Sequence, residues 1–119
     1  MHISFIAIEA SFETDEYALI VSLEGTENSL VFQRDSDENF EDAGLYLEFG
    51  GQHNGGYGCV ESCFLNRKII QVNLSRQLGV LEDVNGFDIK LDIEDTSYEQ
   101  LLDGLPRIFR EMANSLQIN

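Results

Sequence analysis

The chain has 119 residues, with 22 Asp and Glu against 7 Lys and Arg and a formal net charge of −15. So large an acidic excess excludes nucleic acid and anionic membrane as partners, because phosphate binding needs Lys and Arg. It permits a basic protein partner, met at an electrostatically steered rate, and equally suits an ordinary acidic cytosolic protein.

The excess is uneven. Residues 1–65 hold 13 acids and one base, Arg34, whereas residues 66–119 hold nine acids and six bases. A hydrophobic fraction of 43% with 8 Phe and 4 Tyr describes a globular chain. At this length it is a single domain, 1–119, which buries roughly two-thirds of its unfolded surface without help from disulfides or metals.

Residues 2–10 read as one strand, apolar on both faces. Ile3, Phe5 and Ala7 lie on one side and Ile6, Ile8 and Ala10 on the other, the pattern of a covered strand. The opening MHISFIAIEA has no basic n-region and alternates too much for a signal peptide. No apolar run reaches the ~18 residues of a membrane span. Residues 11–16 read as an acidic turn, and Tyr17 to Glu24 as a strand rich in β-formers. A loop at 25–29 then returns the chain as strand 30–34, a hairpin.

Residues 35–44 are the most acidic stretch, DSDENFEDAG. Asp35, Asp37 and Asn39 occupy the first, third and fifth places of a calcium loop. The pattern fails at Phe40, where glycine is required, and at Tyr46, where a bidentate Glu belongs. A solvated acidic loop is the simpler reading, and a docking surface for a basic partner the functional one.

Leu45, Leu47 and Phe49 alternate with Tyr46 and Glu48 as a half-buried strand. The glycine-rich run GGQHNGGYG follows, and then a strand, 59–65, that holds both cysteines. Cys59 and Cys63 would share one strand face roughly 13 Å apart at about 3.3 Å per residue. A disulfide needs Cα atoms within about 7 Å, so they stay unpaired, as in a reducing, cytoplasmic setting. A turn at 66–68 leads into strand 69–74, with Ile70, Val72 and Leu74 inward. Residues 75–81 suggest a short helical turn stopped at Gly79. Asn85-Gly86 is a turn signal. Phe87, Ile89, Leu91 and Ile93 alternate with Asp88, Lys90 and Asp92, a strand with one wet face.

The C-terminal segment has 3.6 periodicity through Leu101, Leu102, Leu105, Ile108, Phe109, Met112 and Leu116. Thr96-x-x-Glu99 and Ser97-x-x-Gln100 both fit a capping box. Because the register runs on past Pro106, the pattern predicts a kinked helix of about 20 residues, roughly 30 Å long. The elements together predict an α+β fold: a mostly antiparallel sheet of about six or seven strands, covered on one face by a long C-terminal helix.

Chemistry is thinly signalled. The glycine run has no Lys or Arg near it and no phosphate-loop pattern. His53 with Cys59 or Cys63 could form a nucleophile pair, but cysteine is commonly buried and acidic surroundings raise a thiol's pKa. His2 and His53 lack second ligands at metal spacing. No cofactor or metal is expected. Phe40, Tyr46 and Tyr57 near the glycine run could serve as aromatic anchors for a partner, or Tyr57 could merely close the turn against the sheet.

The segment YxEFGGQxNGGYGxVES, followed by LxRxxIxxxLS, resembles the immunity protein 10 family of bacterial polymorphic toxin systems. Tyr46, Glu48, Gln52, Asn54, Gly56, Tyr57, Gly58, Glu61, Ser62, Leu65 and Leu74 carry the likeness. The run LGVLEDVNGFDIKLDIED and the ending LxxxLPRIF continue it, so that it covers most of the chain from about residue 17. Pro106 and the two cysteines depart from the expected pattern, in the manner of packing variation. The resemblance implies a small α+β protein, without catalysis, that neutralises a toxin. The partner expected is a cognate protein toxin, with a basic active site if it is a nuclease. The likeness supplies no contact residues; the acidic loop and the positions near the glycine run make Asp35, Asp37, Glu38, Glu41, Asp42, Tyr46, His53 and Tyr57 the expected ones. A non-toxin interaction module is the alternative that the same acidic surface would serve.

Overall fold

The computed structural model describes residues 1–36 and 43–119. The chain runs β1 (His2–Ala7), β2 (Glu9–Thr14), β3 (Ala18–Glu24), β4 (Ser29–Asp35), β5 (Tyr46–Phe49) and β6 (Gly55–Tyr57). It continues with β7 (Val60–Leu65), β8 (Ile69–Leu74), β9 (Gly86–Leu91), helix α1 (Asp95–Ile108) and β10 (Leu116–Ile118). Strands β2 to β6 form an antiparallel meander in chain order. A second, mixed sheet has the order β1-β9-β8-β7-β10, with β1 parallel to β9 and β10 parallel to β7.

The fold class is α+β as expected, but there are two five-stranded sheets rather than one of six or seven strands. The first difference arises at Ala7 and Ile8. The carbonyl of Ala7 accepts from Asp92 N (2.9 Å), whereas the next amide, Ile8 N, donates to Glu24 O (2.8 Å). The chain changes sheets there, so the expected single strand is two. The expected turn at 11–16 is mostly strand, since β2 continues to Thr14. Ile6 and Ile8 are 53% and 47% exposed, not covered. Likewise residues 75–81 hold no helix; Leu81 N closes a tight turn on Leu78 O (3.0 Å) around Gly79.

The alternation in β3, β4 and β5 buries one face of the meander. Leu19, Val21, Leu23, Leu30, Phe32 and Leu47 are all completely inaccessible, each contributing about 1.5–3 kcal/mol by leaving water. Two different elements cover that face. At one end α1 lies over it: Gly104 faces Phe12 and Val21, and Phe109 packs on Phe32 with ring centroids 6.1 Å apart. At the other end the mixed sheet closes it, Phe49 meeting Phe5 at 6.2 Å and Phe87 at 5.2 Å. A β-bulge between Val60 and Ser62 lets both Val60 and Cys63 turn inward although they are three positions apart. Cys59 and Cys63 are both buried, free thiols.

The helix is shorter than its periodicity predicts, 14 residues ending at Ile108. Pro106 lies inside its last turn and cannot donate to Leu102. Past Phe109 the amide of Met112 closes back on Phe109 O (2.7 Å), so it does not reach Ile108 O as a continuing helix would require. That carbonyl is taken by Arg34 Nη1 (3.0 Å), which is buried inside the meander. Leu116, expected on the helix face, instead pairs with Cys63 at the mixed sheet's edge. The capping boxes are also unused: Glu94 is the N-cap without a side-chain bond, and Gln100 Oε1 accepts from Phe12 N (2.9 Å).

Gly104 shows how tightly the helix is seated. A Cβ there would lie 2.7 Å from the Phe12 ring and from Val21 Cγ2. Alanine should gain about 1 kcal/mol of helix propensity, but overpacking costs about 1–3 kcal/mol. Gly104→Ala is therefore expected to lower the urea midpoint, and a raised midpoint would show slack between α1 and β2.

Candidate partner-binding surface

The other face of the meander points to solvent, and its residues are grouped by register. Glu9 stands opposite Glu24, Glu13 opposite Ile20, and Asp35 opposite Ala18. Val31 faces Glu48, Gln33 faces Tyr46, and Tyr46 faces Tyr57. The strands β2 to β6 contain one basic residue, Arg34, and it points inward. The outward residues of these strands therefore include five carboxylates and two tyrosines and no Lys or Arg.

Tyr46 and Tyr57 form a tilted pair with ring centroids 5.0 Å apart, and Tyr57 is 50% exposed. The Tyr46 hydroxyl donates to Glu48 Oε1 at 2.9 Å. The glycines of the loop make this pairing possible. The Tyr46 ring lies directly over Gly55, where any side chain would collide with its hydroxyl. Gly79, at φ +55°, packs just as closely against the carbonyl of His53 and the Cα of Asn54. The glycine run is thus a place of close backbone approach. Within it, β6 adds a fifth strand that the sequence pattern did not show.

Of the residues expected to meet a partner, Tyr46 and Tyr57 are brought together. Asp35 lies on the same outward face at the end of β4 and accepts from Ala43 N at 3.3 Å. His53 is exposed on the 3-10 turn Gln52–Asn54. Asp37, Glu38, Glu41 and Asp42 lie outside the described residues, as do Phe40 and Asn39. Glu9, Glu13, Glu24 and Glu48 were missed as surface partners of the tyrosines. Their only sequence signal is strand parity, which becomes usable once the meander order is known.

The nucleophile alternative finds no geometric support. Cys59 Sγ donates to the carbonyls of Tyr57 (3.5 Å) and Gln77 (3.7 Å) rather than pairing with His53. Burial pushes the Cys63 thiol from 9.0 up to about 12, holding it neutral. Among the described residues no helix is long and apolar enough to cross a membrane.

Tyr46 is also pushed up, from 10.0 to about 12, by burial first and then by its hydrogen bond to Glu48 and that residue's charge. For both groups the folded state favours the protonated form. Their contribution is fully present below the unfolded pKa values and is lost as pH rises through the folded ones. Unfolding free energy should therefore decline between pH 9 and 12, and less so in a Cys63→Ala variant. A flat profile across that interval would contradict the burial of these groups.

The family model described as Immunity protein 10 matches residues 4–99, which takes in both sheets apart from the start of β1 and the C-terminal β10. The match ends before the LxxxLPRIF segment that also resembled it. No curated protein and no solved structure matches the chain. With most of its length matched by that model, this chain belongs to the immunity protein 10 family.

Proposed function

We propose that the chain binds and neutralises a cognate bacterial toxin without catalysis, laying an acidic surface over a basic site. Family membership carries the immunity role. The observation that supports the mode of action is the Tyr46–Tyr57 pair beside Glu48, on a sheet face whose strands present acids and no outward base. Aromatic side chains of this kind anchor protein contacts, because they bury large area with few rotatable bonds. The surrounding carboxylates raise the rate of encounter with a basic partner and fix its orientation. In the sequence, Asp35 is followed by further acids at 37, 38, 41 and 42, which add to the negative charge of this half of the chain. Where the toxin's site binds phosphates, these carboxylates would take their place.

The test is co-expression with the toxin encoded beside this chain, followed by titration of the purified pair. The wild-type chain should abolish killing and bind in a salt-sensitive manner. Tyr57→Ala should weaken binding roughly 30-fold, the ~2 kcal/mol of an interface anchor. Unchanged killing in the presence of the wild-type chain would refute the immunity reading. An unaffected Tyr57→Ala variant would remove the tyrosine pair from the contact.

A further inference from the structure

Resting on that reading, we infer that the toxin seats on the whole exposed face of the meander, as far as β2, and that the Glu9–Glu24 pair is held for a basic group of the toxin. The two carboxylates stand directly opposite in the β2–β3 ladder, both exposed. Like charges in that position weaken a sheet. Glu13 lies on the same face four residues after Glu9, and a cleft of about 500 Å³ runs from these three glutamates to Glu94 and Ser97 at the start of α1. Among the described residues no Lys or Arg lines that cleft. The free protein therefore carries an uncompensated repulsion that a partner's Arg or Lys would relieve, which is charge complementarity specific to a basic protein surface.

Both edges of the meander argue for docking on the face rather than by strand addition. At β2 the Phe12 amide is occupied by Gln100 Oε1 at 2.9 Å. At β6 the Tyr57 carbonyl is occupied by the Arg76 guanidinium. A partner strand would have to displace these side-chain bonds, whereas the face between them is open, with Ile20 and Val31 flanked by the carboxylates and the tyrosines. The bases that reach this sheet from other elements sit at its rims: Arg110 on the carbonyl of Asp35 at 3.1 Å, Arg76 beside Tyr57, and Arg107 over the Phe12 ring at 5.5 Å.

The experiment compares Glu9→Gln/Glu24→Gln with Glu99→Gln/Asp103→Asn, an equal charge change on exposed positions of α1. The probe is the toxin encoded beside this chain. The first variant should melt about 1–4 °C higher than wild type, from relief of the repulsion. It should also bind about tenfold more weakly or worse, with the difference narrowing at high salt. The helix variant should bind within about threefold of wild type. Equal losses in both variants would mean that only net charge matters, and would overturn the assignment. Wild-type affinity in Glu9→Gln/Glu24→Gln would overturn it as well, while leaving the immunity reading intact. Failure of the wild-type chain to bind would remove the immunity reading, and this face with it.

Discussion

Arg34 is the only cation in the first 65 residues, and it points into the protein. Its side chain is 2% exposed, with Nη1 on the carbonyl of Ile108 and Nη2 on Glu111 Oε2 at 2.8 Å. A buried charge without partners would be costly, and a helix end without capping leaves orphan carbonyls. Each problem answers the other here. The arginine satisfies a carbonyl freed where the helix stops, and the helix end with Glu111 gives the arginine its hydrogen-bond acceptors. Arg110 adds a second link, donating to the carbonyl of Asp35 at 3.1 Å. The end of β4 and the end of α1 are thereby fixed to one another, which seats the helix over Phe12, Val21 and Phe32.

That same arrangement determines the character of the surface. With its one arginine turned inward, the meander has no outward base on β2 to β6 to balance Glu9, Glu13, Glu24, Asp35 and Glu48. The two sheets are accordingly unlike. The mixed sheet mingles charges on its outer side, where Asp88 sits beside His2 and Gln71 and two positions before Lys90. The meander keeps a one-signed face. A sheet whose inner side is apolar apart from Arg34 and closed by two elements tolerates such repulsion, because burial outweighs it by an order of magnitude. Function can therefore occupy the face that stability does not need.

What the sequence disclosed follows from how local each signal is. The β3–β4 hairpin and the strands β5, β8 and β9 alternate within a few residues, so one wet and one dry face were readable directly. The parallel pairs β1–β9 and β7–β10 join residues some 50 to 85 positions apart, and no local pattern encodes them. β6 is three residues of Gly-Gly-Tyr and has no periodicity to read. The helix was overestimated because Leu116 happens to continue its 3.6 register, whereas Pro106 and the Arg34 cap decide the true end. The tyrosines were legible as aromatics beside a glycine run. Glu9 and Glu24 were not, since 15 positions separate them and only the β2–β3 register makes them neighbours.

Carboxyl footprinting tests the central claim most directly, with toxin-bound and free protein labelled by carbodiimide and glycine ethyl ester and read by mass spectrometry. Glu9, Glu13, Glu24 and Glu48 should lose reactivity together in the complex, while Asp92, Glu99 and Asp103 keep theirs. Protection confined to the helix and the mixed sheet, with the meander glutamates still fully reactive, would contradict it.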